Sequence, residues 1–339
     1  MLFVGDIMLD RSVRRQIEKA QDPLYPFVRI ADTLRAADLT FGNLEGPVSS
    51  RGTNQGSIYS FRFEPVGTIN ALTYAGFDVV SSANNHIWDW GSEALSDTFT
   101  QLDEAGIGHA GAGRNYEEAN GPFFATLGDP SAGSGQAIKI ALLAFTNLYP
   151  CSLEATASTP GISSFDMAKV SETIRNLKGS GQACPSSLAP QRCGRADLAI
   201  VSFHWGTEYE SLSTTTQQII GRGLIDAGAD LVIGHHPHVV QEVERYVSSV
   251  ILSGVKDLDP SVTPQDDTGE PHVGYIVYSL GKFVFDQNLS RITMKGLMVE
   301  ASIKNKKVES IKEIPIQLTP TFQPYIPGAP GDPALDTSG

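Results

Sequence analysis

Hydrophobic and polar positions follow two recurring periods along the chain. Short apolar runs of strand length occur at residues 2–4, 39–41, 79–81, 123–127, 139–145, 198–203 and 231–233. Between them, residues 13–19, 27–37, 65–75, 92–105, 166–177 and 214–227 carry apolar side chains at helical spacing. Ser92 is placed to cap the 92–105 helix and Gly106 to stop it. From Val239 onward strand patterns dominate, at 239–246, 273–278, 294–303 and 308–317. This βα alternation followed by a β-rich end predicts a layered domain of the α/β (α+β) class. Two polar, Pro-containing stretches read as surface insertions, near 179–195 and 255–271. The Pro/Gly-rich end from about Pro324 reads as frayed.

Composition narrows the class. Of 339 residues, 41% are hydrophobic and 19% charged, a globular balance that excludes a disordered chain. The glycines and prolines are scattered, which excludes collagen-like and linker-like chains. The best apolar run, 140–145, has strand length and falls far short of the roughly 18 residues of a membrane span. A net charge of −13 argues against nucleic acid and anionic membrane surfaces as partners. It leaves room for a local metal or cationic site that binds a small anion.

Cys184 and Cys193 flank a polar loop. They are either a small disulfide ring or two free thiols; a zinc site would lack ligands. A disulfide would favour an exported protein. Cys151 is expected to be unpaired. Met1 enters a strand at once, so a signal or anchor upstream of this sequence is expected.

The candidate chemistry shares one placement, where a strand hands over to a loop. Asp6 ends the first strand, and Asn43 and Glu45 end the second. Asn84, Asn85 and His86 follow the third, His204 a fourth, and His235, His236 and His238 a fifth. In open α/β sheets the carboxyl ends of strands are where ligands bind. Five of the seven histidines lie in these motifs. His109 and His272 lack that context and read as ordinary surface or loop residues. Imidazole, carboxylate and amide together suit one or two divalent ions such as Zn, Mn or Fe.

The series GDIMLD (5–10), GNLEGP (42–47), NNHIWDWG (84–91), HWGTEY (204–209), GHHPHV (234–239) and YSLGKFVFDQ (278–287) resembles the CapA-type poly-γ-glutamate capsule biosynthesis family. That family is similar to the calcineurin-like metallophosphoesterases. The resemblance implies a β-sandwich flanked by helices and one domain over residues 1–320, followed by a tail at 321–339. It implies metal ligation by Asp6, Glu45 (with Asn43 as the alternative), Asn85, His204, His236 and His238. His86 would act near the substrate, oriented by Asp89. Arg11 would pair with a substrate anion or simply sit at a helix start, where Asp10 is the expected cap. Two positions depart from the pattern. Met8 stands where the superfamily has a histidine, and Lys282 where the capsule family has an asparagine.

Three functional readings follow from the resemblance. The first is a metal-dependent hydrolase in capsule production at the cell envelope, cutting a phosphoester or an amide. The second is a non-hydrolytic accessory or binding protein of a polymer export assembly. The third is a metal-assisted acid/base enzyme acting on a peptide. The implied partners are an anionic small molecule or polymer such as poly-γ-glutamate, and membrane capsule-synthesis proteins. The implied location is extracytoplasmic or membrane-associated.

Overall fold

The computed structural model describes residues 1–128, 137–179, 194–248 and 271–335. Cys184, Cys193 and most of both expected insertions lie outside these residues. Cys151 is free and exposed. In chain order the elements begin with β1 (Leu2–Ile7), α1 (Arg11–Ala20), α2 (Ala31–Arg35), β2 (Thr40–Leu44), α3 (Pro65–Ala75), β3 (Val79–Ser81) and α4 (Gly91–Glu104). Then come β4 (Gly108–Ala110), β5 (Ala112–Gly113), α5 (Tyr116–Asn120), β6 (Phe123–Leu127), β7 (Ile138–Thr146), β8 (Gly161–Ile162) and α6 (Met167–Lys178). The chain continues through β9 (Leu198–His204), α7 (Thr215–Asp226), β10 (Leu231–His235), β11 (Val243–Val247) and β12 (Val273–Val277). It ends with β13 (Lys282–Val284), β14 (Lys295–Lys304), β15 (Lys307–Leu318) and β16 (Pro324–Tyr325). Among the described residues no helix is long and apolar enough to cross a membrane.

Two mixed sheets stack with helices outside each. The first runs β16-β15-β14-β1-β2-β3-β4, with β13 also paired to β1. The second runs β11-β12-β10-β9-β7-β6. The central strands read as continuous apolar runs because both of their faces are buried. Side chains alternate between faces along a strand. Phe3 therefore packs between the sheets with Phe41, Leu142, Ile200 and Ile233. Leu2 and Val4 face the other way, against Leu34 and Leu72 of the helical layer. On the second sheet Val201 and Val232 face outward, against Ile174 of α6 and Leu224 of α7. Each such side chain, fully buried, contributes about 1.5–3 kcal/mol. The layered α/β class is thus the one that the periodicity predicts.

Local chemistry sets the helix boundaries. Glu64 caps α3 by accepting from Val66 N and Gly67 N, and Gly76 ends it at φ 82°. Thr214 and Gln217 form a reciprocal capping box on α7. Asp10 caps α1 by accepting from Arg11 N, as expected.

Several expectations need correction. Ser92 is not a cap, because α4 starts at Gly91 with Trp90 in the cap position. The expected 27–37 helix is helical only over Ala31–Arg35. Before it, tight turns run Phe27 N to Leu24 O (2.9 Å) and Ile30 N to Phe27 O (3.0 Å), which still bury Phe27 and Ile30. The expected strand at 239–246 is regular only over Val243–Val247, since Val240 to Glu242 bond irregularly alongside Tyr278 to Leu280. The chain end does not fray at Pro324. Pro324 and Tyr325 pair with Leu318 and Gln317. Gln323 Nε2 donates to Tyr25 O (2.7 Å), and Arg29 Nη1 donates to Gly331 O (3.0 Å).

Gly234 is where this packing is tightest beside the histidine motif. A Cβ there would lie 2.0 Å from Tyr278 O and 2.7 Å from Trp205 Nε1. Those two atoms are already hydrogen-bonded at 2.9 Å. Gly234→Ala is expected to destabilise the chain by about 1–3 kcal/mol, the usual range for an overpacked core. Urea unfolding measures this; an unchanged midpoint would mean that the neighbouring backbone yields freely.

Candidate metal centre

The sheets bring their carboxyl ends together, and strand register aligns the polar residues there. Asp6 of β1 pairs with Asn43 of β2 on one side and with Lys282 of β13 on the other. Asn43 pairs with Ser81 of β3, which leads into Asn84, Asn85 and His86. Across the crevice His204 of β9 pairs with His235 of β10, which leads into His236 and His238.

The inner part of the site is fully buried. Asp6, Glu45 and His204 each offer a donor atom within 4.8 Å of the others. Asn43 stands among them. Its Nδ2 lies 2.9 Å from Asp6 Oδ1, 3.2 Å from Glu45 Oε2 and 3.3 Å from His204 Nδ1. Asn84 orients that amide by donating to Asn43 Oδ1 (3.1 Å) and to Leu44 O (2.9 Å), while its own Oδ1 accepts from His86 N. His204 Nε2 lies 2.8 Å from Asn85 Oδ1. Asn43 and Asn85 stand at the two ring nitrogens of His204. Asn43 thus offers N–H groups here, and Glu45 is the donor at the second strand end.

The outer part lies toward the surface. His236, His238 and Glu208 offer donor atoms within 4.8 Å of one another. His238 Nδ1 is 2.9 Å from Asp6 Oδ2, and its Nε2 is 3.6 Å from Glu45 Oε1. His86 Nδ1 is 2.8 Å from Asp89 Oδ2, an oxygen that also accepts from Phe61 N at 2.8 Å. That pair is the orienting contact expected of Asp89. The Phe61 ring packs on His86 at 4.1 Å. Arg11 also lies over this ring, at 5.3 Å from its centre, but Asp286 engages its guanidinium through both carboxylate oxygens.

Burial governs protonation. Desolvation alone would raise Asp6, but the imidazoles beside it, His235 at 3.4 Å and His238 hydrogen-bonded at 2.9 Å, hold it well below the ordinary carboxylate value. Glu45 is pushed well above its ordinary value by burial and by the Asp6 charge. Burial, then the neighbouring imidazole of His236, pushes His204 well down. His236 falls to about 4, chiefly by burial and then by His238.

The donors fit a divalent cation. Glu45 Oε1, His236 Nδ1 and both ring nitrogens of His235 are buried with no hydrogen-bond partner among the described residues. Each such orphan costs about 1–3 kcal/mol in the folded chain unless something binds it. Carboxylate, imidazole and amide donors in one pocket match borderline divalent ions. Met8 adds no ligand, because its Sδ accepts from Asp10 N at 3.1 Å.

Sequence reasoning missed Glu208 as a member of the site. HWGTEY contains Glu208, but only the turn at Gly206 brings it back over the crevice. His235 was placed at the strand end but given no role, because its neighbours form the His-x-His pair. Lys282 is fully buried, and its Nζ donates to Gln287 O at 2.6 Å. His109 is a correction: it is buried, stacked on Phe99 at 4.5 Å and 3.4 Å from Asp103. His272 holds Ala229 O at 2.8 Å.

Two helix-flanked sheets with Asp, Glu, Asn and His at their strand ends define a metallophosphoesterase-like α/β protein. Residues 1–287 match the family described as Bacterial capsule synthesis protein PGA_cap, and the chain belongs to that family. It is 28% identical over 324 residues to the capsule biosynthesis protein CapA of Bacillus anthracis, covering 94% of this chain and 67% of that one. It is 28% identical over 318 residues to the PGA biosynthesis protein CapA of Bacillus subtilis, covering 93% and 70%. A probable polyglutamine synthesis accessory protein of Mycobacterium tuberculosis is 30% identical over 258 residues, covering 75% and 64%.

Lys282 makes the site's electrostatics measurable. Burial lowers it from 10.5 to about 7, against the pull of Asp6, Asp286 and Glu45. Between these values the unfolded chain holds one proton more than the folded chain. The metal-free protein therefore gains stability as pH rises from about 7 toward 10.5, and loses that gain as pH falls back through about 7. Lys282→Met is expected to flatten this slope. Urea midpoints across that range test it; equal slopes in both proteins would clear Lys282 as the source.

Proposed function

We propose that this chain is a metal-dependent hydrolase serving poly-γ-glutamate or related capsule production at the cell envelope, where it is extracytoplasmic or membrane-associated. One arrangement carries the reading. A histidine braced by a carboxylate, His86 with Asp89, stands at the rim of a buried Asp/Glu/His cluster that has donor atoms without a partner among the described residues.

Asp6, Glu45, Asn85, His204, His236 and His238 hold one or two divalent ions in this reading. A bound ion supplies Lewis-acid polarisation of the scissile group and brings the pKa of a water toward neutrality. His86 presents Nε2 to the leaving group and delivers a proton there, while Asp89 on Nδ1 fixes the tautomer and steadies the imidazolium. Phe61 packs on the His86 ring and limits its rotation. Arg11 binds a substrate anion only if it exchanges Asp286 for it. The substrate is an anionic small molecule or polymer, with poly-γ-glutamate the favoured candidate and membrane capsule-synthesis proteins the favoured partners. Support comes from the family and from the relatives named for capsule and PGA biosynthesis.

Met8 favours a second reading. Its thioether replaces an imidazole donor, which suits a non-hydrolytic accessory protein that keeps the fold and a structural metal. Protein stripped with chelator and reloaded with Mn, Zn or Fe separates the two. The assay offers phosphomonoesters, phosphodiesters and γ-glutamyl peptides. Metal-restored hydrolysis of one class is expected; bound metal without any hydrolysis selects the accessory reading.

The variants differ in what they should lose. His86→Ala is expected to keep its metal and to lower turnover by about 10²–10⁴-fold, the range for a removed general acid. His236→Ala is expected to lose metal and rate together. Asp89→Asn should be milder than either. Metal analysis and kinetics on the three decide it, and equal metal loss in His86→Ala and His236→Ala would make His86 a ligand.

A further inference from the structure

Glu208 is exposed and lies on the loop after β9, yet that loop is closely tied to the histidine motif. Trp205 N donates to His235 O at 3.1 Å, and Tyr209 N donates to Pro237 O at 2.8 Å. Gly206, at φ 86°, makes the turn between these two ties, and a Cβ there would lie 2.7 Å from Gln217 Oε1. Tyr209, His236 and His238 also take positive φ, at 66°, 95° and 57°. Left-handed backbone at three non-glycine residues is strained and persists only where the surroundings enforce it. The result is that Glu208, His236 and His238 converge to within 4.8 Å.

Two further observations point to a ligand. His236 is only 8% exposed, and its Nδ1 has no hydrogen-bond partner among the described residues. Asp6 accepts from His238 Nδ1, which leaves Nε2, 3.6 Å from Glu45 Oε1, as the nitrogen of that ring able to meet a metal. A carboxylate behind an imidazole is the usual way to orient it toward a metal.

We propose that Glu208 is a metal ligand that completes an outer His/His/Glu position with His236 and His238, apart from the buried Asp6–Glu45–His204 group. This rests on the metal-dependent reading and adds a donor that the motif pattern does not assign. Two imidazoles and one carboxylate with open positions suit Zn, Mn or Fe(II). Because Glu208 is exposed, an ion held there faces solvent and can meet a carboxylate or phosphate of an incoming anion. The inner group is different. It is closed off by the Asn43 amide and has no exposed member.

The test titrates chelator-stripped protein with MnCl2 and with ZnCl2, following heat and bound metal. Glu208→Gln replaces the charged carboxylate donor with a neutral, weaker amide without removing core contacts. Glu210→Gln, two residues along the same loop, is the control. Wild type should bind metal, Glu208→Gln should lose at least about 10-fold in affinity at one position, and Glu210→Gln should match wild type. Apo melting temperatures should agree for all three. Metal binding by wild type that Glu208→Gln leaves unchanged, while His236→Ala removes it, overturns the Glu208 assignment and leaves the hydrolase reading standing. No binding by wild type overturns both.

Discussion

Asn43 points its side-chain N–H groups at Asp6, Glu45 and His204, and the rest of the centre is arranged around that contact. Buried carboxylates are costly unless they are paired and hydrogen-bonded. Asn43 offsets part of this cost, but an amide has two hydrogens and three acceptors face it. Nor can it turn over, because Asn84 holds its oxygen and is itself held by His86 N and Leu44 O. The consequence is an electron-rich pocket that is incompletely satisfied. Glu45 shows it most clearly, with a raised pKa and an oxygen lacking a partner among the described residues. A divalent cation would relieve what the amide leaves over.

This constraint explains why the two sheets must meet as they do. Asp6, Asn43 and Glu45 come from one sheet, whereas His204, His235, His236 and His238 come from the other. The apolar layer between the sheets, with Phe3, Phe41, Ile200 and Ile233, sets their spacing. The polar cluster caps the end of that layer. Packing therefore positions the donors that the strands themselves carry, Asp6, Asn43 and His204.

A chain with net charge −13 repels a polyanion over most of its surface. Under the proposed function, a bound cation is what reverses that sign locally, since metal ions are often the largest charges in a site. An outer position reached through Glu208 would put the reversal where a polymer can meet it. Asp6 of the buried group would also orient His238 toward that position. The Arg11–Asp286 pair fits the same picture, because a cationic side chain at the rim is already neutralised in the free protein.

The sequence alone determined the alternation of strands and helices, the β-rich end and the strand-end placement of Asp6, Glu45, Asn85, His86, His204, His236 and His238. Those signals are local: a period of two or 3.6 residues, a cap, a polar residue after an apolar run. It also located the His86–Asp89 pair, because three residues on a turn bring two side chains together. Only the tertiary structure decided what needs contacts distant in the chain. Asp286 reaches Arg11 across 275 positions. Asn43 became a hub of donors because its side chain reaches both Asp6 of the neighbouring strand and His204 of the opposite sheet. β13 escaped notice because its three residues are a strand only through pairing with β1. Glu208 joined the histidines because two backbone ties and a left-handed glycine fold its loop back. No spacing in the sequence encodes that return, since it is set by where the neighbouring strand places His235 and Pro237.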